Sequence, residues 1–195
     1  MDEILRRLGY HEAGHYLTAR LFGFETGEMK LRIYNLSGHK GSSVITPVRK
    51  LNNIQEIEKF IEDRVQVLYS GALSESLTNG KVDENAACDI LEAVGGENDF
   101  DKANEYILFI SNIQCISVKD KNDILNHMKK VNSNLWKKTI NIVEKNHSVI
   151  CTLGCELGYH MVENTPTYKE YKLSKDQIES LPEIKTWLQN IHGNA

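Results

Sequence analysis

The 195-residue chain contains only three prolines, Pro47, Pro166 and Pro182, so little interrupts the formation of long helices. No apolar run approaches the ~18 residues of a membrane span, which excludes an integral helical membrane protein. Charge of one sign is also lacking. Lys and Arg number 23 against 27 Asp and Glu, and a net charge of −4 is too mild to make nucleic acid or an anionic membrane the obligate partner. Cysteines are few: Cys88, Cys115, Cys151 and Cys155. The opening Met1-Asp2-Glu3 lacks the basic start of a signal peptide, so free thiols in a reducing cytoplasm are expected. Cys151 and Cys155, four apart on one helix face, read as small core residues. No internal repeat, low-complexity tract or Pro/Gly/Ser linker divides the chain, so 1–195 is expected to be a single domain.

What is present is a helical periodicity with one early exception. Residues 2–22 read as a helix with Asp2 as N-cap and Gly23 as its stop. Over 28–35 the pattern alternates, with Met29, Leu31 and Ile33 against Lys30 and Arg32, as in a half-buried strand. A turn, Ser37-Gly38-His39-Lys40-Gly41, leads to a second strand over 42–47, where Pro47 suits a sheet edge. From position 51 the period becomes three and four: Ile54, Ile57, Ile61, Val65, Leu68 and Ala72 mark a long amphipathic helix. Asn79-Gly80 and Gly95-Gly96 break the chain before a helix over about 98–113. Apolar runs around 124–128, 136–143 and 150–161 also read as helical. Ser174 and Gln177 form a capping box, flanked by Leu173 and Ile178 as a hydrophobic staple. The expected class is mainly α, a helical bundle with a small β-hairpin near its start.

One motif carries chemistry. His11-Glu12-Ala13-Gly14-His15 is an H-E-x-x-H on the first expected helix. Histidines at i and i+4 share a face with Cβ atoms ~5–6 Å apart, so both imidazoles can reach one Zn²⁺. Glu12 is turned off that row and can act on water without ligating the metal. Ala13 and Gly14 are small enough for another element to pack closely. The alternative is two solvated histidines on a surface helix, and a third ligand decides between them. Thr18 and Leu21 stand where the extended zincin motif has Gly and His, so the ligand must come from elsewhere. Two acids are candidates. Glu75 lies in Gly71-Ala72-Leu73-Ser74-Glu75, faintly like the glutamate helix of thermolysin-like proteases. Asp99 enters a helix after Gly95-Gly96-Glu97-Asn98, where its plain role would be an N-terminal cap. The remaining histidines, His39, His127, His147, His160 and His192, lack spaced partners and read as surface or capping residues.

The sequence resembles the protease domain of FtsH, the AAA-coupled zinc metalloprotease family. Tyr10-His11-Glu12-Ala13-Gly14-His15 carries that family's HEAGH, and Gly41-Ser42-Ser43-Val44-Ile45-Thr46-Pro47 is similar to its Gly-led strand ending in Pro. Leu68-Tyr69-Ser70-Gly71-Ala72-Leu73-Ser74-Glu75 looks like its Gly-Gly-Arg-Ala-Ala-Glu segment. Gly95-Gly96-Glu97-Asn98-Asp99-Phe100-Asp101-Lys102-Ala103 resembles Gly-Ala-Ser-Asn-Asp-x-x-x-Ala-Thr. The likeness runs over residues 10–104, about half the chain, and weakens in the helical remainder. Ala72 stands where Arg is usual, Gly96 where Ala is usual and Asn104 where Thr is usual. The resemblance implies a zincin-like FtsH-type fold with His11, His15 and Asp99 on Zn²⁺ and Glu12 as general base. Glu75 would then either hydrogen-bond a ligand histidine, as metal sites commonly require, or be an ordinary solvated glutamate.

The implied activity is that of a metalloendopeptidase, hydrolysing peptide bonds with a zinc-held water that Glu12 activates. The strand over 42–47 would bind the polypeptide substrate as an added strand. No G-x-x-x-x-G-K-[ST] occurs: Val82 follows Gly80-Lys81, and Glu75 stands where the first Gly should be. A free-standing, ATP-independent protease domain is therefore expected, with a separately encoded ATPase and further copies of the chain as open partner readings. The competing function is a non-catalytic zincin-like module or adaptor for such an ATPase, and an intact Glu12 argues against it.

Overall fold

The computed structural model describes residues 2–35, 38–93, 96–115 and 120–193, with no account of the side chains of 192 and 193. Ser37 and Gly95, assigned above to turns, lie outside the described residues, as does the His192 side chain. The described residues form a mainly helical protein with a small antiparallel sheet.

Helix α1 (Glu3–Leu21) starts where Asp2 accepts a hydrogen bond from the Ile4 N–H at 3.2 Å. It stops before Gly23, whose φ of 75° is open to glycine at little cost. Strands β1 (Glu25–Tyr34) and β2 (His39–Thr46) then pair antiparallel, with Leu31 opposite Gly41 and Met29 opposite Ser43. Helix α2 (Ile54–Glu75) is capped by Asn53, which accepts from the Glu56 N–H at 2.9 Å. A two-residue ribbon, β3 (Leu77–Thr78) and β4 (Lys81–Val82), turns at Asn79-Gly80.

Next come α3 (Glu84–Glu92), α4 (Glu97–Gln114), α5 (Lys121–Lys145) and α6 (His147–Tyr159). Strands β5 (Met161–Asn164) and β6 (Tyr168–Leu173) precede α7 (Lys175–Ser180) and α8 (Pro182–Gly193). The capping box of Ser174 and Gln177 is formed, and Leu173 and Ile178 are both buried beside it.

The hairpin expectation is too small. β1 pairs not only with β2 but with β6, and the sheet order is β2-β1-β6-β5. The helix expected through 161 ends at Tyr159, and Met161 begins an edge strand. Thr165-Pro166-Thr167 makes the turn that lets β6 run back along β5, with β1 on its other side. The apolar runs at 124–128 and 136–143 belong to one helix, α5, and α3 was not expected. β2 is an edge strand, as Pro47 suggested.

α1 runs through the centre because its small residues allow close crossings. A Cβ on Gly14 would collide with Ser74 Oγ and the Ser70 carbonyl of α2, and one on Gly9 would collide with the Gly154 backbone of α6. No other side chain fits these crossings without moving a helix. The core they enclose includes Tyr16, Leu17, Leu31, Tyr69, Leu73, Leu153 and Leu173. A second small cluster of Ala19, Phe24 and Val67, flanked by Ile45 and Phe60, fills the space under the far end of β2. No described helix is long and apolar enough to cross a membrane.

Candidate metal centre

The residues around His11 and His15 converge from three helices. α1 supplies the two histidines one turn apart, α2 crosses beneath them, and α4 begins beside them. Nε2 of His11 and Nε2 of His15 lie 3.0 Å apart. Asp99 Oδ2 is 3.0 Å from Nε2 of His15 and 3.8 Å from Nε2 of His11. Three donors on a small tetrahedral ion bonded at ~2.0–2.1 Å would stand ~3.3–3.4 Å apart. The observed spacings bracket that value. These three side chains form a group that could hold a metal ion.

The far side of each ring fixes its tautomer. His11 Nδ1 donates to Glu75 Oε2 at 2.9 Å, and His15 Nδ1 donates to the Val67 carbonyl at 2.7 Å. A carboxylate and a carbonyl only accept, so both Nδ1 atoms carry the proton and both Nε2 atoms are left to face Asp99. Two such lone pairs at 3.0 Å need positive charge near them. Burial alone would lower the pKa of His11, but Asp99, Glu75 and Glu12 outweigh it and raise it to about 10. Burial would likewise raise Asp99, yet His11 and His15 hold its carboxyl well below the usual carboxylate range. A cation seated among the three donors would meet that demand for positive charge.

Asp99 is not a helix cap. The N-cap of α4 is Gly96 and no side chain caps it, so the carboxylate of Asp99 is directed to the histidines instead. Glu75 closes α2 and reaches His11 from the side opposite Asp99, so it is hydrogen-bonded to the imidazole and not simply solvated.

Glu12 stands outside the donor group. It is buried, and Ser43 Oγ of β2 donates to the pair formed by Glu12 Oε2 at 2.9 Å and the Glu12 carbonyl at 2.7 Å. The other carboxylate oxygen lies against Gly41, where an added Cβ would collide with it. Gly71 plays the same part for the histidines: a Cβ there would run into Nε2 of both rings. Glycine at these two positions lets β2 and α2 approach groups that must stay open on one side.

The site opens into a cleft of about 560 Å³ between β2, α2 and the start of α4. His39, expected in a loop, is the first residue of β2 and lines this cleft. The other described histidines keep plain roles, such as His147, which donates to the Glu144 carbonyl at 2.8 Å. Cys151 and Cys155 are half-buried rather than fully buried, with Cys155 Sγ 3.8 Å from the Tyr10 hydroxyl.

Sequence reasoning found His11, Glu12, His15, Asp99 and Glu75, and all five meet at this cleft. It missed Ser43, Gly41, Gly71 and the Val67 carbonyl. The glycines were visible only as letters in segments, and the carbonyl has no residue-type signal at all.

No protein-family model matches the chain, and no curated protein matches it.

Proposed function

We propose that the chain is a zinc-dependent endopeptidase with a zincin-like fold of the FtsH protease type. The observation that carries this reading is the convergence of His11, His15 and Asp99 through Nε2 and Oδ2, with both Nδ1 atoms already engaged and a buried Glu12 beside them. Two neutral imidazoles and one carboxylate are the donor set of a catalytic zinc site that keeps one position open.

When bound, zinc would supply a Lewis acid for the peptide carbonyl and would bring the pKa of water down toward ~7. The chain's own residues do the rest. Glu12 takes the proton of the attacking water and returns it to the leaving amine. Ser43 anchors Oε2 of Glu12, which keeps the carboxylate in one orientation. Glu75 and the Val67 carbonyl hold the two imidazoles in the tautomer that ligation needs. β2, at the sheet edge along the cleft, offers backbone groups to an extended polypeptide, so sequence-tolerant affinity would come from added-strand pairing. Few cysteines and no P-loop motif suit a cytoplasmic peptidase that does not itself use ATP. Forced unfolding of a substrate would fall to a partner ATPase.

The test is Glu12→Gln. That variant should bind zinc as the wild type does, melt at the same temperature, and lose about 10²-fold or more of its turnover on casein or a peptide library. Equal cleavage by the two proteins would sink the mechanism. Zinc bound by both with no cleavage by either would favour a binding module.

A further inference from the structure

Arg64, Lys40 and Lys102 line the cleft without an ion-pair partner among the described residues, and of the three only Arg64 is half-buried. Arg64 projects from α2 at the end of the cleft beyond Val67, about 4.5 Å further along the helix axis. Its Nε and Nη1 are shielded from solvent and have no hydrogen-bond partner among the described residues. Its guanidinium rests 5.9 Å from the centre of the Phe24 ring, and no carboxylate lies within ion-pair distance among the described residues. The adjacent acid in sequence is already taken: Asp63 holds Arg49 at 2.7 Å and Lys59 at 2.5 Å. None of the residues outside the described set is Asp or Glu. A half-buried guanidinium without an anion is costly, and an ion pair made there is worth more than one in open water. The cleft's own acids are committed to the centre, Glu75 and Asp99 to the histidines and Glu12 to Ser43. Lys40 and Lys102 line the walls on either side and add positive potential at the mouth.

We propose that Arg64 is a specificity-determining residue of this cleft and takes a carboxylate of the bound peptide close to the bond that is cut. This rests on the peptidase reading above. At ~3.3 Å per extended residue, an offset of one to two helical turns from the histidine-facing part of α2 puts the contact about one to three residues from that bond. The carboxylate would come from a Glu or Asp side chain of the substrate or from its C-terminus.

Peptide binding to zinc-loaded Glu12→Gln protein, read by fluorescence anisotropy, tests this without turnover. Peptide pairs would differ by Glu or Gln at one position near the bond, or by acid or amide at the C-terminus. The expected result is a preference of about tenfold or more for the charged member at one position, with the arm that shows it naming the source. Introducing Arg64→Met should bring the ratio to about one, and Arg64→Lys should keep part of it, because the charge remains and the planar fork does not. If Arg64→Met fails to fold, a fall of about threefold in the ratio for Arg64→Lys carries the test. No preference, no peptide binding, or a preference that survives in both variants overturns the inference. Charged-peptide preference that depends on Arg64, in a protein whose wild type cuts nothing, would keep Arg64 as the carboxylate-binding residue of the cleft and remove the peptidase reading. Cleavage without preference would do the reverse.

Discussion

At the scale of single residues, what matters is which atom of each side chain is already spoken for. An imidazole has two nitrogens, and this protein uses Nδ1 of both histidines for orientation, one on a carboxylate and one on a main-chain carbonyl. The side-chain partners were legible in the sequence, because an acid at the right place in a segment has a type that can be read. The Val67 carbonyl was not, since every residue has one and only the crossing of α1 over α2 selects it. This division of labour separates the two acids experimentally. Asp99 supplies charge at the donor group itself, so Asp99→Asn should weaken zinc binding by more than about 100-fold. Glu75 acts through His11, so Glu75→Gln should cost at most the ~10–100-fold usual for outer partners. Competition with a fluorescent chelator on the purified variants measures both. Full occupancy in Asp99→Asn with loss in Glu75→Gln would reverse the roles.

At the scale of elements, the helices with a clear three-four period were readable, and the strand that completes the sheet was not. β6 reads Tyr168-Lys169-Glu170-Tyr171-Lys172-Leu173, a segment with too many charges to look half-buried. Its charge is absorbed by β1: Glu170 sits opposite Arg32, accepts from Arg32 Nε at 2.8 Å, and meets Lys30 Nζ at 3.1 Å. Both faces of β6 are therefore covered, one by Tyr171 and Leu173 in the core and the other by this ion cluster. Burial pushes the Glu170 carboxyl up, but Arg32 and Lys30 overcome it and hold the group below its ordinary value. A depressed folded-state pKa contributes stability above the unfolded value of ~4.3 and loses it as pH falls through the folded value. Glu170→Gln should thus cost about 1–2 kcal/mol at pH 7 and progressively less toward pH 3. Thermal melts of wild type and variant across that range check the sign. A deficit that grew on acidification would contradict the assignment of the cluster.

At the scale of the whole molecule, the candidate centre joins the central helix to the start of α4. α1 carries two donors through the middle of the core, with its Gly14 pressed on α2, while α4 brings the third from outside. The cleft was illegible in the sequence for that reason: it exists only between β2, α2 and α4, and no one segment holds its shape. A metal ion seated there would tie the start of α4 to the central helix, so binding and global stability should be linked. A ligand that binds only the folded state at ~100 times its Kd adds about 2.7 kcal/mol. For a chain of this size that corresponds to a rise in Tm of about 5–10 °C. Wild type and Glu12→Gln should both show this rise with zinc, because Glu12 is no donor. Asp99→Asn should show little of it, since α4 then offers an amide where an anion is needed. Scanning calorimetry of the three proteins, with zinc and with chelator, makes the comparison. An equal rise in Asp99→Asn would mean that the stabilising ion binds without α4, and the three-donor centre would have to be abandoned.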